Sequence, residues 1–294
     1  MTPRQILLAL LPPICFGTGF TIAKPVVQHF PPLFMLLMVY GGIAAVLAVT
    51  ARQPLKTPWR HIMLMSAFAV TIQGAFLFWG LRGLSATTAN LVLQTQVPMA
   101  VLLGWLINGE DLNIRKSLGT ALALLGVAMV IGLPEDTPPL LPVMLTIAGA
   151  FTWALGQVFA QKFGKDEGIG LLKANAYGSL PQLLLATVLL EHGQFAALQQ
   201  ATAMQWAMLA FLGGVGFYLA YVCWYTLLRQ CRMDEVAPFI LLMPVVGILT
   251  AFMLLGETIS PAQLAGGAVI LFGLAIVSGL DRIAMKKAGQ LARP

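Results

Sequence analysis

Long apolar stretches, separated by short polar segments, run through the whole sequence. Ten of them are about 17 to 25 residues long and are bounded by charged residues, Pro or Gly. A helix of about 20 apolar residues spans the hydrocarbon core of a bilayer, so the pattern predicts an all-α membrane protein with ten transmembrane helices. The predicted spans are 6–23, 32–50, 62–81, 88–107, 117–133, 140–161, 171–190, 204–228, 236–255 and 261–280.

The composition agrees with a membrane protein and not with a soluble domain. Of 294 residues, 59% are apolar and 10% are charged, against roughly 45–50% and about 25% in soluble domains. The net charge is +6, but Lys and Arg are scattered in small groups between apolar runs, unlike a nucleic-acid-binding surface. The expected partners are the lipid bilayer and a small-molecule substrate, without nucleic acid, and the oligomeric state stays open.

The sequence contains little that supports catalysis, a metal site or a cofactor. Three Cys form no CxxC pair, and three His stand at separate segment ends without a carboxylate at helical spacing. There is no HExxH, no GxSxG and no phosphate-binding loop. We therefore expect no metal, no cofactor and no enzymatic activity.

The distribution of positive charge predicts the orientation. With a cytoplasmic N-terminus, fifteen of the seventeen Lys and Arg residues fall on the cytoplasmic side, and only Lys24 and Arg82 fall outside. Cytoplasmic loops are the ones that retain Lys and Arg, so both termini are predicted in the cytoplasm. The first stretch has no small-x-small cleavage site before Lys24, which favours a membrane span over a signal peptide.

An internal duplication divides the chain. Several residues recur after 147 positions, and residues of the first span recur in the sixth after 137. The matches include Leu81-Arg82 with Leu228-Arg229, Gly109-Glu110 with Gly256-Glu257, Gly119 and Gly126 with Gly266 and Gly273, and Gly19 with Gly156. A duplicated five-helix unit has an odd number of crossings, so the copies, 1–133 and 140–280, are predicted to be inverted, with a cytoplasmic tail at 281–294. Inverted repeats are typical of transporters with a site between the halves.

Two motifs resemble a known family. The stretch FGTGFTIAK at 16–24 is similar to the first-helix signature of EamA-type drug/metabolite transporters, although Phe16 stands where Trp is expected; the second half has Trp153. The two Gly-Glu pairs, each followed by a helix rich in Gly, resemble the family's repeat ending. The resemblance implies a ten-helix secondary transporter of small metabolites and is greatest to the aromatic amino-acid exporter branch.

Carboxylates are absent from the middle of every predicted span. All eleven lie in loops or at span ends, and Glu110 and Glu257 are interpreted as caps or salt-bridge partners. Proton-coupled carriers commonly use an ionisable group inside the membrane. We therefore expect facilitated diffusion or exchange without a proton gradient.

Polar and aromatic residues inside the spans are the candidates for substrate contacts. Asn90 and Gln94 share a helix face, and Pro98, which has no amide hydrogen, is expected to free the Gln94 carbonyl as an unpaired backbone acceptor. Trp153 and Gln157 are also four residues apart. The remaining candidates are Gln73, Trp79, Thr21, Lys24, Tyr218 and Tyr221. For these residues the alternative role is interhelical hydrogen bonding or packing. For Lys24 the alternative is that its side chain extends along the helix to the membrane surface.

Flexible points are predicted in three spans. Pro98 and Pro244 occupy equivalent places in the fourth and ninth spans, and Pro244 is expected to act on the Ile240 carbonyl. Gly213, Gly214 and Gly216 cluster in the eighth.

The leading interpretation is a multi-pass carrier of a bacterial-type inner membrane that moves aromatic or large aliphatic amino acids by alternating access. A multidrug or cation exporter and a non-transporting scaffold are the alternatives.

Overall fold

The computed structural model describes residues 3–131, 138–230 and 239–278, and throughout these ranges the regular secondary structure is helical. The long helices are α1 (Pro3–His29), α2 (Pro32–Thr50), α3 (Trp59–Gly83), α4 (Ala86–Asn108), α5 (Ile114–Ile131), α6 (Leu140–Phe163), α7 (Ile169–Leu190), α8 (203–230), α9 (Leu242–Leu255) and α10 (Pro261–Ser278). A shorter helix, Gln194–Gln200, connects α7 to α8. The predicted tail 281–294 and the span ends predicted at 133, 236 and 280 lie outside the described residues.

Length and composition identify membrane-crossing helices among these elements. Seven of the described helices, α1 to α6 and α8, are long and apolar enough to cross a membrane, and α9 and α10 are shorter apolar helices. Large apolar side chains such as Leu7, Val49 and Met253 are exposed on the helix surfaces. Contact with lipid removes this apolar surface from water. The described chain is therefore a multi-pass membrane protein, and ten crossings stay a prediction.

Two π-helical segments lie at nearly equivalent places in the two halves. Ala67–Ile72 interrupts α3, and Leu212–Leu219 interrupts α8. A shift of 147 residues carries 67–72 onto 214–219, which lies within the second segment. Such segments occur frequently at functional positions of helices. The segment in α8 contains Gly213, Gly214 and Gly216, the residues predicted to make this helix flexible.

Helices cross closely at both π-helical segments. A Cβ added to Gly19 of α1 would lie 2.6 Å from the Cα of Gly216 in α8. A Cβ added to Gly156 of α6 would lie 2.5 Å from the backbone nitrogen of Ala69 in α3. Because Gly156 and Ala69 are the counterparts of Gly19 and Gly216 after the shifts of 137 and 147, the same crossing occurs twice.

The glycines of α5 and α10 hold these two helices together. A Cβ on Gly126 would lie 2.7 Å from the Gly266 carbonyl oxygen, and one on Gly119 would lie 2.7 Å from that of Gly273. Small residues allow helix backbones in a membrane to approach at such distances. These glycines therefore serve as packing residues between α5 and α10.

α4 consists of two parts joined by a tight turn. Ala86–Leu93 and Gln96–Asn108 are helical, and Gln94 and Thr95 form the turn before Pro98. The expectation that Pro98 leaves the Gln94 carbonyl without a partner is wrong, because the Val97 amide donates to it over 3.2 Å. The chain tightens to an i→i+3 bond where Pro98 supplies no amide hydrogen.

The second half contains a similar turn before α9. Leu241 is a turn residue, α9 begins at Leu242, and the buried Pro244 follows in its first turn. Leu241 is the counterpart of Gln94 after a shift of 147 residues. Both halves therefore interrupt the corresponding helix at the same place.

Candidate functional site

The first part of α4 turns a buried polar face toward α9. Thr87, Asn90 and Gln94 are 0%, 1% and 4% exposed. Neither amide atom of Asn90 hydrogen-bonds another described residue, and the side chain lies against Gly247 of α9. Gln94 Nε2 donates to the Asn90 carbonyl oxygen over 3.2 Å. A buried amide without a partner costs free energy, which makes Asn90 a candidate for a functional role.

Thr21 fastens α1 to α9. It is 0% exposed, and its Oγ1 donates to the Gly247 carbonyl oxygen at 3.0 Å and lies 2.8 Å from Oγ1 of Thr250. It also lies 3.2 Å from the carbonyl oxygen of Gly17. The Thr21 hydroxyl thus has partners on α1 and α9 within the helix bundle, and a substrate contact at Thr21 stays a prediction.

Lys24 and Arg82 cap each other's helices. Lys24 Nζ donates to the carbonyl oxygens of Leu81 at 2.8 Å and Leu84 at 2.6 Å, at the end of α3. Arg82 Nε donates to the Val27 carbonyl oxygen at 2.6 Å, near the end of α1. Cations at helix C-termini satisfy carbonyl groups that have no helical partner. The structure thus places Lys24 in a helix-capping contact.

Glu257 caps the beginning of α4. One carboxylate oxygen accepts the Ala86 amide at 2.6 Å, and the other accepts the Thr87 amide at 2.9 Å. These amides belong to the first turn of the helix, where backbone N–H groups have no helical acceptor. The interpretation of Glu257 as a cap is confirmed.

An open groove separates α4 from α6. Its volume is about 390 Å³, and it is lined by Val97, Ala100, Val101, Glu110, Trp153, Gln157, Val158 and Gln161. Trp153, Gln157 and Gln161 lie at intervals of four residues, so that they form one stripe of α6 that faces α4. The groove therefore combines apolar and aromatic walls with amides and one carboxylate.

Glu110 and Gln161 of this groove are not among the predicted site residues, and Glu110 is interpreted from sequence as a cap or a salt-bridge partner. Its Oε1 accepts a hydrogen bond from Gln161 Nε2 at 2.9 Å, and Gln161 Oε1 accepts one from Asn108 at 2.7 Å. Gly109, with φ 68°, ends α4 in the left-handed conformation, and the Glu110 amide bonds back to Gly104. The Gly-Glu pair was a signal for this turn, but it did not show that the carboxylate lines a groove.

The other predicted residues lie elsewhere. Tyr218 lines a second, apolar groove of about 490 Å³ between α2 and α8. Tyr221 packs edge-on against Phe16, with the ring centroids 5.0 Å apart. Trp79 of α3 packs against the buried apolar core, and Gln73 of α3 is half-buried. The predicted residues therefore do not converge on one cavity; Trp153 and Gln157 share the groove between α4 and α6.

Comparison with known families explains the repeated features. Residues 3–132 and residues 140–279 each match the model described as the EamA-like transporter family. The chain belongs to the EamA-like transporter family. Each EamA-like copy contains one of the two Gly-Glu pairs, so the resemblance and the internal duplication are both confirmed. Family membership indicates a transporter and not an enzyme.

Two curated relatives match this chain over nearly the full length. A protein of Salmonella typhimurium (strain LT2) named "Probable amino-acid metabolite efflux pump" is 33% identical, over 94% of this chain and 95% of its own. A protein of Escherichia coli (strain K12) with the same name is 30% identical, over the same shares. A crystal structure of another protein matches 94% of this chain and 99% of its own with a TM-score of 0.66 and 19% identity, which shows the fold alone.

Proposed function

We propose that this EamA-like protein is an inner-membrane carrier that moves amphipathic amino acids, aromatic or large aliphatic, by alternating access. The observation that carries the proposal is the groove between α4 and α6, which Trp153 and three valines line together with Gln157 and Glu110. An amino acid needs an apolar surface for its side chain and polar partners for its charged groups. The names of the two relatives agree with this class of substrate.

The proposed carrier consists of two inverted five-helix repeats, 1–133 and 140–280, with both termini in the cytoplasm. Contacts between segments predicted on the same side support it. His29 Nε2 lies 2.9 Å from the Ala197 carbonyl oxygen on the predicted outer side, and Lys173 bonds the Ala51 carbonyl oxygen on the inner side. Single cysteines at the exposed Lys56 and Gln200 should be labelled from opposite sides; labelling from one side contradicts the topology.

The binding step is tested on purified protein in vesicles. Wild-type protein is expected to exchange labelled phenylalanine or leucine without an imposed pH difference, since the carboxylates of the chain lie in predicted loops or at span ends. Gln157→Ala should weaken binding about tenfold without a change in melting temperature. A strict requirement for a pH difference contradicts uncoupled transport.

A matched variant separates binding from folding. Gln182 is an amide of α7 that donates to the Met63 carbonyl oxygen at 2.9 Å and accepts from Thr71 at 2.9 Å, away from the groove. Gln182→Ala should lower the melting temperature and leave amino-acid affinity unchanged. If Gln157→Ala binds like the wild type while Gln182→Ala behaves as expected, the proposed place of binding is wrong.

A second function is favoured by one observation. Glu110 provides a carboxylate in the groove that also contains the Trp153 ring, and a groove with a negative group and an aromatic wall also suits a lipophilic cation. Exchange of a quaternary ammonium compound, without exchange of amino acids, would identify the protein as a cation exporter instead.

A further inference from the structure

The two Gly-Glu turns have the same backbone and different side-chain partners. Gly109 and Gly256 both adopt φ near +65° (68° and 65°), and the following Glu amides bond back to Gly104 and Ala251 over 3.2 and 3.3 Å. Both carboxylate oxygens of Glu257 accept helix amides. Among the described residues, the Glu110 carboxylate accepts a single hydrogen bond, from Gln161 Nε2 to Oε1. The carboxylate of Glu110 therefore retains capacity to accept further donors.

The surroundings of Glu110 leave its charge without a cationic partner in the described part of the chain. The nearby Lys162 directs its Nζ to the Ile107 carbonyl oxygen at 3.2 Å. Gly104 leaves room for the carboxylate, because a Cβ at this position would lie 3.0 Å from Oε2. A carboxylate that is half-buried beside an apolar groove is a strong acceptor for a charged donor.

The groove next to Glu110 has the shape of a site for an amphipathic amine. Trp153 and Gln161 lie eight residues apart on α6, which corresponds to about 12 Å along the helix. Between them the facing wall consists of Val97, Ala100 and Val101. A ligand with its ammonium group at Glu110 would place its apolar part along these valines, toward the Trp153 ring.

We propose that Glu110 is the ammonium-binding residue of this transporter, and that its ligands carry a primary amine on an apolar or aromatic body. The inference rests on the proposed function and names the group of the amino acid that the groove recognises. The ammonium donates to the Glu110 carboxylate, and Gln157 lies one turn farther along the same stripe of α6 to contact the polar groups of the ligand. The second Gly-Glu pair has no such role, because α4 occupies its carboxylate.

The proposal is tested by binding to the purified full-length protein. The probes are phenylalanine, phenethylamine, which lacks the carboxylate, and 3-phenylpropionate, which lacks the amine. Wild-type protein should bind the two amines about ten- to a hundredfold more tightly than 3-phenylpropionate, as expected for a charged hydrogen bond. Glu110→Gln should lose this preference and bind 3-phenylpropionate as the wild type does.

Two variants distinguish recognition from a structural effect. Glu257→Gln should lower the melting temperature and keep the preference for amines. Gly104→Ala should favour the helix but crowd the Glu110 carboxylate, so it should weaken amine binding without loss of stability.

The outcomes separate this inference from the proposed function. If Glu110→Gln keeps the wild-type preference for amines, Glu110 is not the ammonium-binding residue, although the protein still binds amino acids. If wild-type protein binds none of the probes while it exchanges a quaternary ammonium compound, the proposed function fails as well.

Discussion

The two Gly-Glu turns show how one motif serves two purposes in a duplicated fold. At Glu257 the facing element is the start of α4, whose first amides have no helical acceptors and bind the carboxylate. At Glu110 the facing element is the side of α6, which offers the amide of Gln161 and an open groove. The backbone turn is therefore fixed by local sequence, whereas the role of the carboxylate depends on what lies opposite.

Lys24 and Gln161, which are equivalent residues of the two halves, also have different partners. Lys24 near the end of α1 corresponds to Gln161 near the end of α6 after the shift of 137 residues. Lys24 caps the end of α3 by three backbone contacts, to Leu81, Arg82 and Leu84. Gln161 instead connects Asn108 to Glu110. One half thus has a fixed cation where the other half has a neutral amide beside a carboxylate, and in our proposal the ligand supplies the cation there.

The largest difference between the two turns is expected in stability. Glu257→Ala removes the acceptor of two helix amides, so the free energy of unfolding should fall by about 2 to 3 kcal/mol. Glu110→Ala removes one exposed contact and should cost less than about 1 kcal/mol. Thermal melting in detergent measures both. Equal losses would contradict different roles for the two residues.

The glycine crossings test whether the halves pack alike. Gly19→Ala places a Cβ 2.6 Å from the Gly216 backbone, and overpacking of this kind costs about 1 to 3 kcal/mol. Gly156→Ala should cost a similar amount against Ala69. Gly214 has no atom within 4 Å of an added Cβ and serves as the control. A melting temperature for Gly19→Ala at or above that of Gly214→Ala would contradict the close crossing.

Exchanging Lys24 and Gln161 between the halves tests whether Glu110 binds the cationic group of the ligand. Lys24→Gln should lower stability by about 1 kcal/mol, because carbonyl groups at the end of α3 lose a charged donor. Gln161→Lys should leave stability nearly unchanged and pair with Glu110, which should weaken phenylalanine binding about tenfold. Equilibrium binding with both variants is the measurement. Undiminished binding by Gln161→Lys would show that ligand and Glu110 do not meet.

The smallest expected effect is at Asp166, a third carboxylate that accepts hydrogen bonds from backbone amides. Burial raises the pKa of Asp166, but hydrogen bonds from Thr57 and the Lys56 amide, together with the Lys56 charge, lower it below its usual value. The stabilising effect is therefore complete above the ordinary Asp range and is lost as the pH falls through the lowered pKa. Asp166→Asn should melt slightly below the wild type at pH 7, and the difference should shrink in strong acid. A constant difference would exclude the carboxylate as its source.

The sequence predicts those features that depend on local pattern. Apolar stretches locate the helices, Pro98 marks the turn in α4, and the glycines of α5 and α10 mark a close contact. The direction of a long side chain at a helix end is different, because it depends on a distant element. Neither the capping role of Lys24 nor the position of Glu110 in a groove follows from residues nearby in sequence.

The Gln94 carbonyl shows that hydrogen-bond partners within a single helix are also not predictable from sequence alone. The missing amide hydrogen of Pro98 follows from sequence, but the chain can tighten by one residue and supply the Val97 amide. Asn90 is the opposite case, since its amide is buried against Gly247 without a partner among the described residues. Polar residues in a span can thus be located from the sequence, but the sequence does not show which of them find hydrogen-bond partners.

An experimental structure of the full chain with bound phenylalanine tests the central claim most directly. The amino acid should lie between α4 and α6, with its ammonium nitrogen about 2.8 Å from a Glu110 carboxylate oxygen and its ring along the Val97 and Val101 wall, directed toward Trp153. Phenylalanine bound between α2 and α8 beside Tyr218, with no contact to Glu110, would contradict the claim.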